Sequence, residues 1–357
     1  MPREDGHDPT GTVAWHRAQT ELRGAHDELA AALPGIACQA AYTRLLVAQR
    51  RCTALVHRWL AEALHLERVV DPRAVLSLDV DGVLEDEAAG FSSTGVIGAA
   101  ALRLLQLGRV AVLLNTGRSL AAVRDRVQQF ALPGGVGSFG ASMWDDIFLH
   151  RSSLVSDRGK EQLRAFRSLL RTEPGLVQDP SHEESIRVSQ VVDGELLPIA
   201  GPEARALLDR HGFTDLTFWV APKHTDFVDR RADKSTGLVR LREELALNSL
   251  PLAAMGDGTC DVATLRTASR AFVPAAALPS YVPTRSQTLV RSRFLGEQAL
   301  WDGARRLVPD APLQRRVRAT LEGIVFPEWF PPSQRRTPPQ AHFRLPSMRR
   351  SRLSTPS

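Results

Sequence analysis

Three short segments of the sequence are apolar almost without interruption and then end in polar residues. They read AVLSLDV (74–80), RVAVLLN (109–115) and PLAAMGD (251–257). Continuously apolar strands are buried on both faces, as in a parallel sheet that is flanked by helices. Helix-like patterns over 94–107, 119–130 and 235–247 alternate with these segments. The sequence therefore predicts an α/β fold with a doubly wound parallel sheet.

The residues before Pro72 have a different, helical pattern, which predicts an N-terminal helical extension. Pro34-Gly35 marks a break between two helices. The apolar stripe predicts that this extension packs on the following domain, and self-association through the same stripe is the alternative. Its members recur at three- and four-residue steps: Tyr42, Leu45, Leu46, Cys52, Leu55, Val56, Trp59, Leu60 and Leu64.

The stretch from Trp144 to about Arg230 is too long for one crossover helix. It mixes helix-like segments with strand-like ones, which predicts an inserted α+β domain. The helix-like segments are 160–172 and 202–211, and the strand-like ones are 185–193 and 216–229. The predicted units are an extension (1–71), an α/β core (72–145 and 231–290), the insert (146–230), C-terminal helices (291–330) and a tail (331–357).

Composition indicates a soluble protein without a membrane span, because no apolar run approaches the roughly 18 residues that a spanning helix needs. The first residues, MPREDGHDPTGT, lack the apolar segment of a secretory signal. Cys38, Cys52 and Cys260 form no CxxC pair, which fits neither a disulfide framework nor a structural zinc site. We therefore predict a cytoplasmic location.

The formal net charge of +5 comes from the last residues of the chain. Without six tail arginines the charge would be −1, so the predicted folded part gives no electrostatic reason to expect nucleic acid. A Pro-, Ser- and Arg-rich tail of this kind predicts a disordered, solvated segment, with a tether to an anionic surface as the alternative. The arginines are Arg335, Arg336, Arg344, Arg349, Arg350 and Arg352.

Polar residues follow each of the three apolar strands. The strand ends read Asp79-Val80-Asp81-Gly82, Asn115-Thr116-Gly117-Arg118-Ser119 and Gly256-Asp257-Gly258-Thr259-Cys260-Asp261. Ligands of parallel sheets bind beyond the carboxyl ends of the strands, so these residues converge if the strands are neighbours. Crowded carboxylates repel one another unless a cation neutralises them. Hard oxygen ligands favour Mg²⁺ together with a substrate phosphate.

Other residues of these segments suit a phosphate group. Thr116 offers a hydroxyl donor and Lys234 an ammonium group to the phosphate oxygens that the metal does not reach. Gly117, like Gly82 and Gly258, lets backbone amides approach an anion closely. Arg118, next to Thr116, is the best candidate for a contact with an anionic or hydroxyl-rich substrate.

The ordered segments DVDGVL, NTGRS, DKSTGL and GDGTCDVATL resemble the four motifs of the haloacid dehalogenase (HAD) superfamily of phosphotransferases. The resemblance covers residues from about 74 to 275. The insertion between the second and third motifs is similar to that of members with a C2 cap. That group includes the Cof-like, sucrose-phosphate and trehalose-phosphate phosphatases.

The resemblance implies a role for each matched residue. Asp79 matches the nucleophile that forms an aspartyl-phosphate, and Asp81 the general acid and base two residues later. Residues i and i+2 of an extended chain face the same way, so both carboxylates can reach one phosphate ester. Asp79, Asp257 and the backbone carbonyl of Asp81 match the magnesium ligands, and Asp261 matches a supporting carboxylate.

Two positions depart from the pattern of many Cof-like members. Cys260 replaces the asparagine of GDxxND, and Phe139 replaces the asparagine of NGA. Both positions lie near the substrate or the metal in the family, so the departures concern substrate contacts rather than the reaction. The insert offers four weaker candidates for substrate contact, which we interpret first as structural: Arg187, Trp219, Lys223 and His224.

The resemblance implies a Mg²⁺-dependent phosphohydrolase that acts on a small phosphorylated metabolite, with a sugar phosphate favoured. A calcium-binding EF-hand loop fails, because a glycine is fourth rather than sixth when Asp79 is counted as the first position. A catalytically weak, phosphate-binding regulatory protein with the same fold is one alternative. A DxD-type glycosyltransferase is another, although it would require neither Lys234 nor GDGTCD.

Overall fold

The computed structural model describes residues 9–32, 36–88, 90–275 and 288–335. The helices in these ranges are α1 (Pro9–Ala31), α2 (Ile36–Ala63), α3 (Val96–Leu107), α4 (Leu120–Gln129), α5 (Asp157–Leu170), α6 (Gly201–Arg210), α7 (Lys234–Glu244), α8 (Val262–Thr267), α9 (Gly296–Leu307) and α10 (Ala311–Glu322). Short 3-10 helices span Ser138–Gly140, Thr259–Asp261 and Pro332–Gln334.

The strands of the described ranges form a large sheet, a smaller one and a two-stranded ribbon. They are β1 (Ala74–Leu78), β2 (Asp86–Ala88), β3 (Phe91–Ser93), β4 (Val110–Asn115), β5 (Gly134–Gly137), β6 (Ser142–Asp145), β7 (His150–Ser153), β8 (Leu176–Gln178), β9 (Ile186–Val192), β10 (Glu195–Leu197), β11 (Leu216–Val220), β12 (Thr225–Asp229), β13 (Leu252–Met255), β14 (Arg270–Val273) and β15 (Thr288–Arg291). The ribbon consists of β2 and β3.

The large sheet has the strand order β15-β14-β13-β1-β4-β5-β6-β7. All neighbours from β15 to β5 run parallel, and β6 and β7 continue the sheet antiparallel. Every residue of β4 and of β13 is buried, as expected for strands that are covered on both faces. The predicted α/β fold with a central parallel sheet is thus confirmed, and β1 lies between β4 and β13.

The smaller sheet is antiparallel and comes from the predicted insert. Its order is β10-β9-β12-β11, with β8 paired to β9. Helices α5 and α6 accompany it, close to the predicted helical segments. Residues 150–153, which we assigned to the insert, instead form β7 at the edge of the large sheet. The chain therefore enters the smaller sheet later than its sequence pattern indicates.

Capping residues explain where several helices begin and end. Ser119 caps the N-terminus of α4, since its hydroxyl accepts a hydrogen bond from the amide of Ala122. We predicted the helix 235–247, but α7 spans Lys234–Glu244. Asp233 is its N-cap, because the carboxylate accepts hydrogen bonds from the amides of Ser235 and Thr236. The earlier start places Lys234 in the first turn.

The N-terminal helices share one hydrophobic core with one face of the large sheet. Tyr42, Leu45, Cys52, Val56 and Leu60 of α2 are buried in this core with β1, β4, α3 and α9. The other face of the sheet packs against α7 and α8, and the smaller sheet has its own core with α5 and α6. The predicted packing of the extension on the core is confirmed. Self-association stays a prediction, and Pro34-Gly35 lies outside the described residues.

The segment after α10 also packs on the core. Phe330 is completely buried, and the buried amide of Gln334 donates a hydrogen bond to the hydroxyl of Ser93. We predicted that the tail begins at residue 331, but residues 331–335 still belong to the packed structure. Residues 336–357 lie outside the described ranges. Within those ranges, no helix is both long enough and apolar enough to span a bilayer.

Candidate active site

The three polar strand ends meet at one edge of the large sheet. Asp79 follows β1, Thr116 follows β4, and Asp257 comes two residues after β13. The amide of Asp79 donates a hydrogen bond to the carbonyl of Met255, at 3.0 Å, which extends the pairing of β1 with β13. These residues lie together, as predicted, because β1 is between β13 and β4 in the sheet.

Lys234 joins the first and third strand ends. Its ammonium nitrogen lies 3.0 Å from Oδ1 of Asp79 and 2.7 Å from Oδ1 of Asp261, and all three side chains are buried. Burial alone would lower the pKa of Lys234, but the two carboxylates outweigh it and raise this pKa well above its usual value. The lysine is therefore a fixed positive charge beside Asp79.

Three carboxylates crowd this end of the sheet. One carboxylate oxygen from each of Asp79, Asp257 and Asp261 lies within 4.8 Å of the others. Burial, reinforced by the charge of Asp261, raises the pKa of Asp79 and raises that of Asp257 to about 6. Crowded acids with raised pKa values are what a divalent cation would relieve, and their oxygens suit Mg²⁺.

Gly82 makes room for this cluster. Its φ is +72°, and a Cβ atom there would lie 2.1 Å from Oδ2 of Asp257. A side chain at this position would therefore displace the Asp257 carboxylate from the end of β13. Glycine is also the residue that adopts a positive φ without steric cost.

Asp81 is paired with an arginine rather than with Lys234. Nε of Arg118 lies 3.1 Å from both carboxylate oxygens of Asp81, and Nη2 of Arg118 also binds Oδ1. Enclosure in the cleft would raise the pKa of Asp81, but the Arg118 guanidinium outweighs it and holds this pKa well below its usual range. The Asp81 side chain therefore takes no part in the cluster. Its predicted backbone-carbonyl contact with a metal stays a prediction.

Arg118 has a different environment from the predicted one. Besides Asp81, it binds Oε2 of Glu85 at 2.9 Å and donates to the hydroxyl of Ser92 at 2.7 Å. Because its guanidinium already contacts two carboxylates, it is a positioning group for Asp81 in this structure. The predicted contact with substrate stays a prediction.

Glu85 is a buried acid that the sequence did not reveal. Its two oxygens accept hydrogen bonds from Arg126, at 2.6 and 2.8 Å. Burial would raise the pKa of Glu85, but Arg126 and Arg118 together lower it to about 2. The residue lies in the acidic link EDEAAGFSS, where nothing distinguishes it from its exposed neighbours.

His57 connects this network to the N-terminal extension. It lies on α2 and is completely buried; its Nε2 accepts a hydrogen bond from the amide of Thr94 at 3.0 Å. Its Nδ1 lies 3.0 Å from Oε1 of Gln129 and acts as the donor. Burial lowers the pKa of His57 to about 4, so the ring is neutral beside Glu85. The extension thus reaches the residues that hold Arg118.

Gly117 lies against the tip of the Phe139 ring, and the carbonyl of Thr116 accepts a hydrogen bond from the amide of Phe139 at 3.1 Å. The hydroxyl of buried Thr116 accepts a hydrogen bond from the amide of Arg118 at 3.2 Å. A Cβ atom on Gly117 would lie 2.3 Å from Cζ of Phe139, so this ring demands glycine there. Phosphate binding by Thr116, Gly117 and Lys234 stays a prediction, although all three lie at the same edge of the sheet.

The two departures from the family pattern have separate environments. Phe139 has a left-handed φ of 57°, and its ring stacks on Trp219 of β11 at 5.9 Å and 15°. It therefore joins the large sheet to the smaller one. Burial raises the pKa of the Cys260 thiol to about 12, which agrees with the interpretation that this cysteine is not a nucleophile.

The remaining candidates on the smaller sheet are paired within the protein. Arg187 donates two hydrogen bonds to Asp226, at 2.8 and 3.0 Å, and Nε2 of His224 lies 3.3 Å from the same carboxylate. Lys223, in the turn between β11 and β12, binds Glu87 of the β2–β3 ribbon at 2.5 Å. The interpretation of these residues as structural stays a prediction.

Comparison with known proteins finds likeness in structure only. No protein-family profile and no curated protein sequence matches the chain. A structure of protein 0175 of Thermoplasma acidophilum superposes with a TM-score of 0.51 at 14% identity, over 66% of this chain and 98% of that one. A sucrose-phosphatase of Synechocystis, solved with sucrose and phosphate, superposes with a TM-score of 0.47 at 14% identity. The match covers 66% of this chain and 98% of that one. A haloacid dehalogenase-like hydrolase of Bacteroides thetaiotaomicron superposes with a TM-score of 0.49 at 10% identity. The match covers 66% of this chain and 99% of that one.

At such identities the likeness concerns the fold alone. The four motifs of the sequence lie in the expected order around the carboxyl ends of the parallel strands, and the antiparallel sheet is inserted between the second and the third. The chain therefore has the fold of the haloacid dehalogenase superfamily.

Proposed function

We propose that the chain is a Mg²⁺-dependent phosphohydrolase that cleaves a small phosphorylated metabolite, favouring a sugar phosphate, through an aspartyl-phosphate on Asp79. One observation carries the proposal: the buried Asp79 carboxylate lies against Lys234 and beside two further carboxylates at the end of β1. The site thereby combines a nucleophile (Asp79), a fixed cation (Lys234) and a set of oxygen ligands for a metal. Phosphoryl transfer needs all three.

The residues of this chain divide the reaction into two steps. A carboxylate oxygen of Asp79 forms a bond to phosphorus while the bond from phosphorus to the ester oxygen breaks, and Asp81 gives its proton to that oxygen. Asp81 then removes a proton from water, whose oxygen attacks the phosphorus and releases phosphate from Asp79. Lys234 and the hydroxyl of Thr116 neutralise and orient the phosphate oxygens.

Asp79, Asp257 and the backbone carbonyl of Asp81 would hold the magnesium ion, and Asp261 would support them. When bound, Mg²⁺ supplies positive charge to the phosphate oxygens of the ester. The crowding of the Asp79, Asp257 and Asp261 carboxylates is the feature of this chain that fits such an ion. The proposed C2 type of the inserted unit agrees with its position between the second and third motifs.

The hydrogen bonds of Arg118 favour one alternative function. They hold Asp81 in its ionised form, which suits its role as a base but opposes its role as an acid. A protein that binds phosphate and turns it over weakly would have this geometry. Release of phosphate from an alkyl ester, whose leaving oxygen requires a proton, separates an efficient phosphatase from such a regulator.

The test of the proposal is phosphate release by wild-type protein and by Asp79→Asn, with Mg²⁺ and after its removal by chelation. We expect turnover that depends on Mg²⁺ and disappears in Asp79→Asn, because an amide does not attack phosphorus. Circular dichroism would show that the variant is folded. Wild-type turnover by Asp79→Asn would refute the aspartyl-phosphate mechanism.

A screen of sugar phosphates, polyol phosphates, nucleotides and phosphopeptides would define the substrate. We expect sugar phosphates to be preferred and phosphopeptides to be inert, because the inserted sheet covers the strand ends and favours compact substrates. We expect no specific binding of nucleic acid. The cytoplasmic location stays a prediction from the sequence.

A further inference from the structure

A cavity of about 510 Å³ opens beside Asp81, between the large sheet and the N-terminal extension. Asp81 and Arg118 line one part of it, and α2 and α4 form its walls. The turn after β8 and the side chains of Arg187 and His224 close it from the smaller sheet. Neither Asp79 nor Lys234 lines the cavity, so its position differs from that of the phosphate group itself.

This position defines what the cavity can hold. A general acid protonates the leaving oxygen of a phosphate ester, so the leaving group must lie next to the Asp81 carboxylate. The side chain of Asp81 is 59% exposed, and it borders the cavity. The space beyond Asp81 is therefore the place for the alcohol part of the ester.

Helix α2 presents a second face to this space. Leu45, Ala48, Cys52 and Val56 are buried in the shared core. The residues that line the cavity recur at helical spacing on the neighbouring face: Thr43, Leu46, Val47, Arg50, Thr53 and Ala54. Val47 is 48% exposed, and it borders the cavity.

The lining combines an apolar wall with a fixed pair of charges. Leu46, Val47 and Ala54 form the apolar part on α2. On the same helix, Arg50 donates hydrogen bonds to Asp125 of α4 at 2.5 and 2.8 Å. Sugar rings have this dual character, with apolar C–H faces and hydroxyl groups around the edge. A pocket of several hundred Å³ holds a drug-sized ligand, which is larger than glycerol.

We propose that α2 of the N-terminal extension forms a wall of the leaving-group pocket, with Val47 and Arg50 as specificity-determining residues for an oligosaccharide-like alcohol. The proposal rests on the proposed phosphohydrolase function. It assigns the extension to substrate recognition, whereas the matched motifs of the sequence all lie after residue 71.

The experiment compares Val47→Trp with Val13→Trp. Both valines are on the extension and are exposed, but only Val47 lines the cavity. We would measure kcat/KM for acetyl phosphate, glycerol 3-phosphate, glucose 6-phosphate and sucrose 6-phosphate. In wild type we expect the two-ring ester to be preferred over the glycerol ester. Val47→Trp should lower this preference by about tenfold or more, because the indole occupies the pocket. Val13→Trp should leave it unchanged.

A second variant tests the polar part of the wall. Arg50→Lys keeps the charge but loses the two-pronged contact with Asp125. We expect KM for the two-ring ester to rise several-fold while kcat changes little, since Arg50 contacts the alcohol and not the phosphorus. Melting temperatures of all three variants would show that they remain folded.

Two negative results have different meanings. If acetyl phosphate is hydrolysed but Val47→Trp and Val13→Trp have the same relative activity on all esters, the pocket assignment is wrong and the proposed function survives. If no phosphate ester is turned over, and Asp79→Asn binds none of them in a calorimetric titration, both proposals fail.

Discussion

Two aspartates separated by one residue have opposite environments at the end of β1. Burial and the charge of Asp261 raise the pKa of Asp79, whereas Arg118 lowers the pKa of Asp81. Environments that separate the pKa values of two acids are typical of sites where the acids have different roles. The local sequence DVD is symmetrical, so the difference comes entirely from the residues that pack around each carboxylate.

The first residue-scale prediction concerns Asp81→Asn. We expect turnover of an alkyl phosphate to fall by about 10²- to 10⁴-fold, because the acid and base are lost. Turnover of an aryl phosphate should fall less, since its leaving oxygen needs no proton. Mg²⁺ affinity, measured by titration, should largely survive if the contact is through the Asp81 carbonyl. Loss of metal affinity in proportion to the loss of activity would contradict this division.

A second residue-scale prediction concerns the close approach of Gly117 and Phe139. Gly117→Ala places a methyl group where the ring now lies, so we expect the free energy of unfolding to fall by about 1–3 kcal/mol. Adding Phe139→Ala should make the alanine at 117 nearly neutral in a double-mutant cycle by urea denaturation. Gly24→Ala is the control, because it lies in α1 with open space around its Cβ and should not destabilise. Equal effects of Gly117→Ala with and without the ring would exclude the clash.

Individual residues were predictable where their signal is local. Asp79, Thr116 and Asp257 each follow an apolar strand, and the strand order brings them together. The roles of Glu85 and His57 depend on Arg126, Thr94 and one another, which lie on different elements. No spacing in the sequence reveals such contacts, and for the same reason Arg118 was assigned to substrate rather than to Asp81.

Among the elements, α2 contacts several different parts of the molecule. It packs on α1, contributes to the core with β1, β4 and α3, contacts β8 of the smaller sheet and carries His57 into the Glu85 network. Its existence was predictable from its apolar periodicity. Its partners were not, because a helical stripe is compatible with any apolar surface, including a second copy of the chain.

The prediction at this scale is a loss of stability in acid that depends on His57. In the folded protein the His57 ring is neutral, because burial lowers its pKa from the ordinary value of 6.5 to about 4. The unfolded chain therefore binds the proton first, so stability is complete above pH 6.5 and falls as the pH drops towards 4. We expect His57 to account for about 2 kcal/mol of the loss at pH 5.

The measurement is urea unfolding at pH 7 and pH 5 for wild type and His57→Gln. Glutamine keeps an acceptor for the Thr94 amide but does not titrate, so the variant should lose less stability between the two pH values. Identical losses in both proteins would show that His57 does not link the extension to pH. The exposed His16 of α1 provides the control, as His16→Gln should change neither value.

For the whole molecule, the first helices and the last described residues lie on the same part of the core. Phe326 and Phe330, which follow α10, contact Trp59 of α2 at centroid distances of 5.6 and 4.6 Å. The N-terminal extension and the C-terminal segment therefore pack against each other rather than forming separate domains. Removing either end of the chain exposes the same hydrophobic surface.

The prediction at this scale compares two truncations. Deletion of residues 336–357 removes five arginines, which account for the formal net charge of +5, so we expect weaker retention on an anionic resin. Its kcat should stay within a few-fold of wild type.

Deletion from Val325 also removes buried Phe330, and we expect a loss of at least about 3–5 kcal/mol of stability by urea denaturation. Unchanged retention of the first truncation would contradict the role of the tail arginines, and unchanged stability of the second would contradict the packing of the segment.

The aromatic contacts at this junction have a spectroscopic consequence. Three of the six tryptophans of the chain, Trp15, Trp59 and Trp329, lie together there; Trp329 contacts the other two at centroid distances of 5.3 and 6.4 Å. Energy transfer among neighbouring indoles makes such a group emit as a unit. Intrinsic fluorescence will therefore report largely on the docking of the two chain ends, and a change in emission need not accompany any change in the carboxylates of the large sheet.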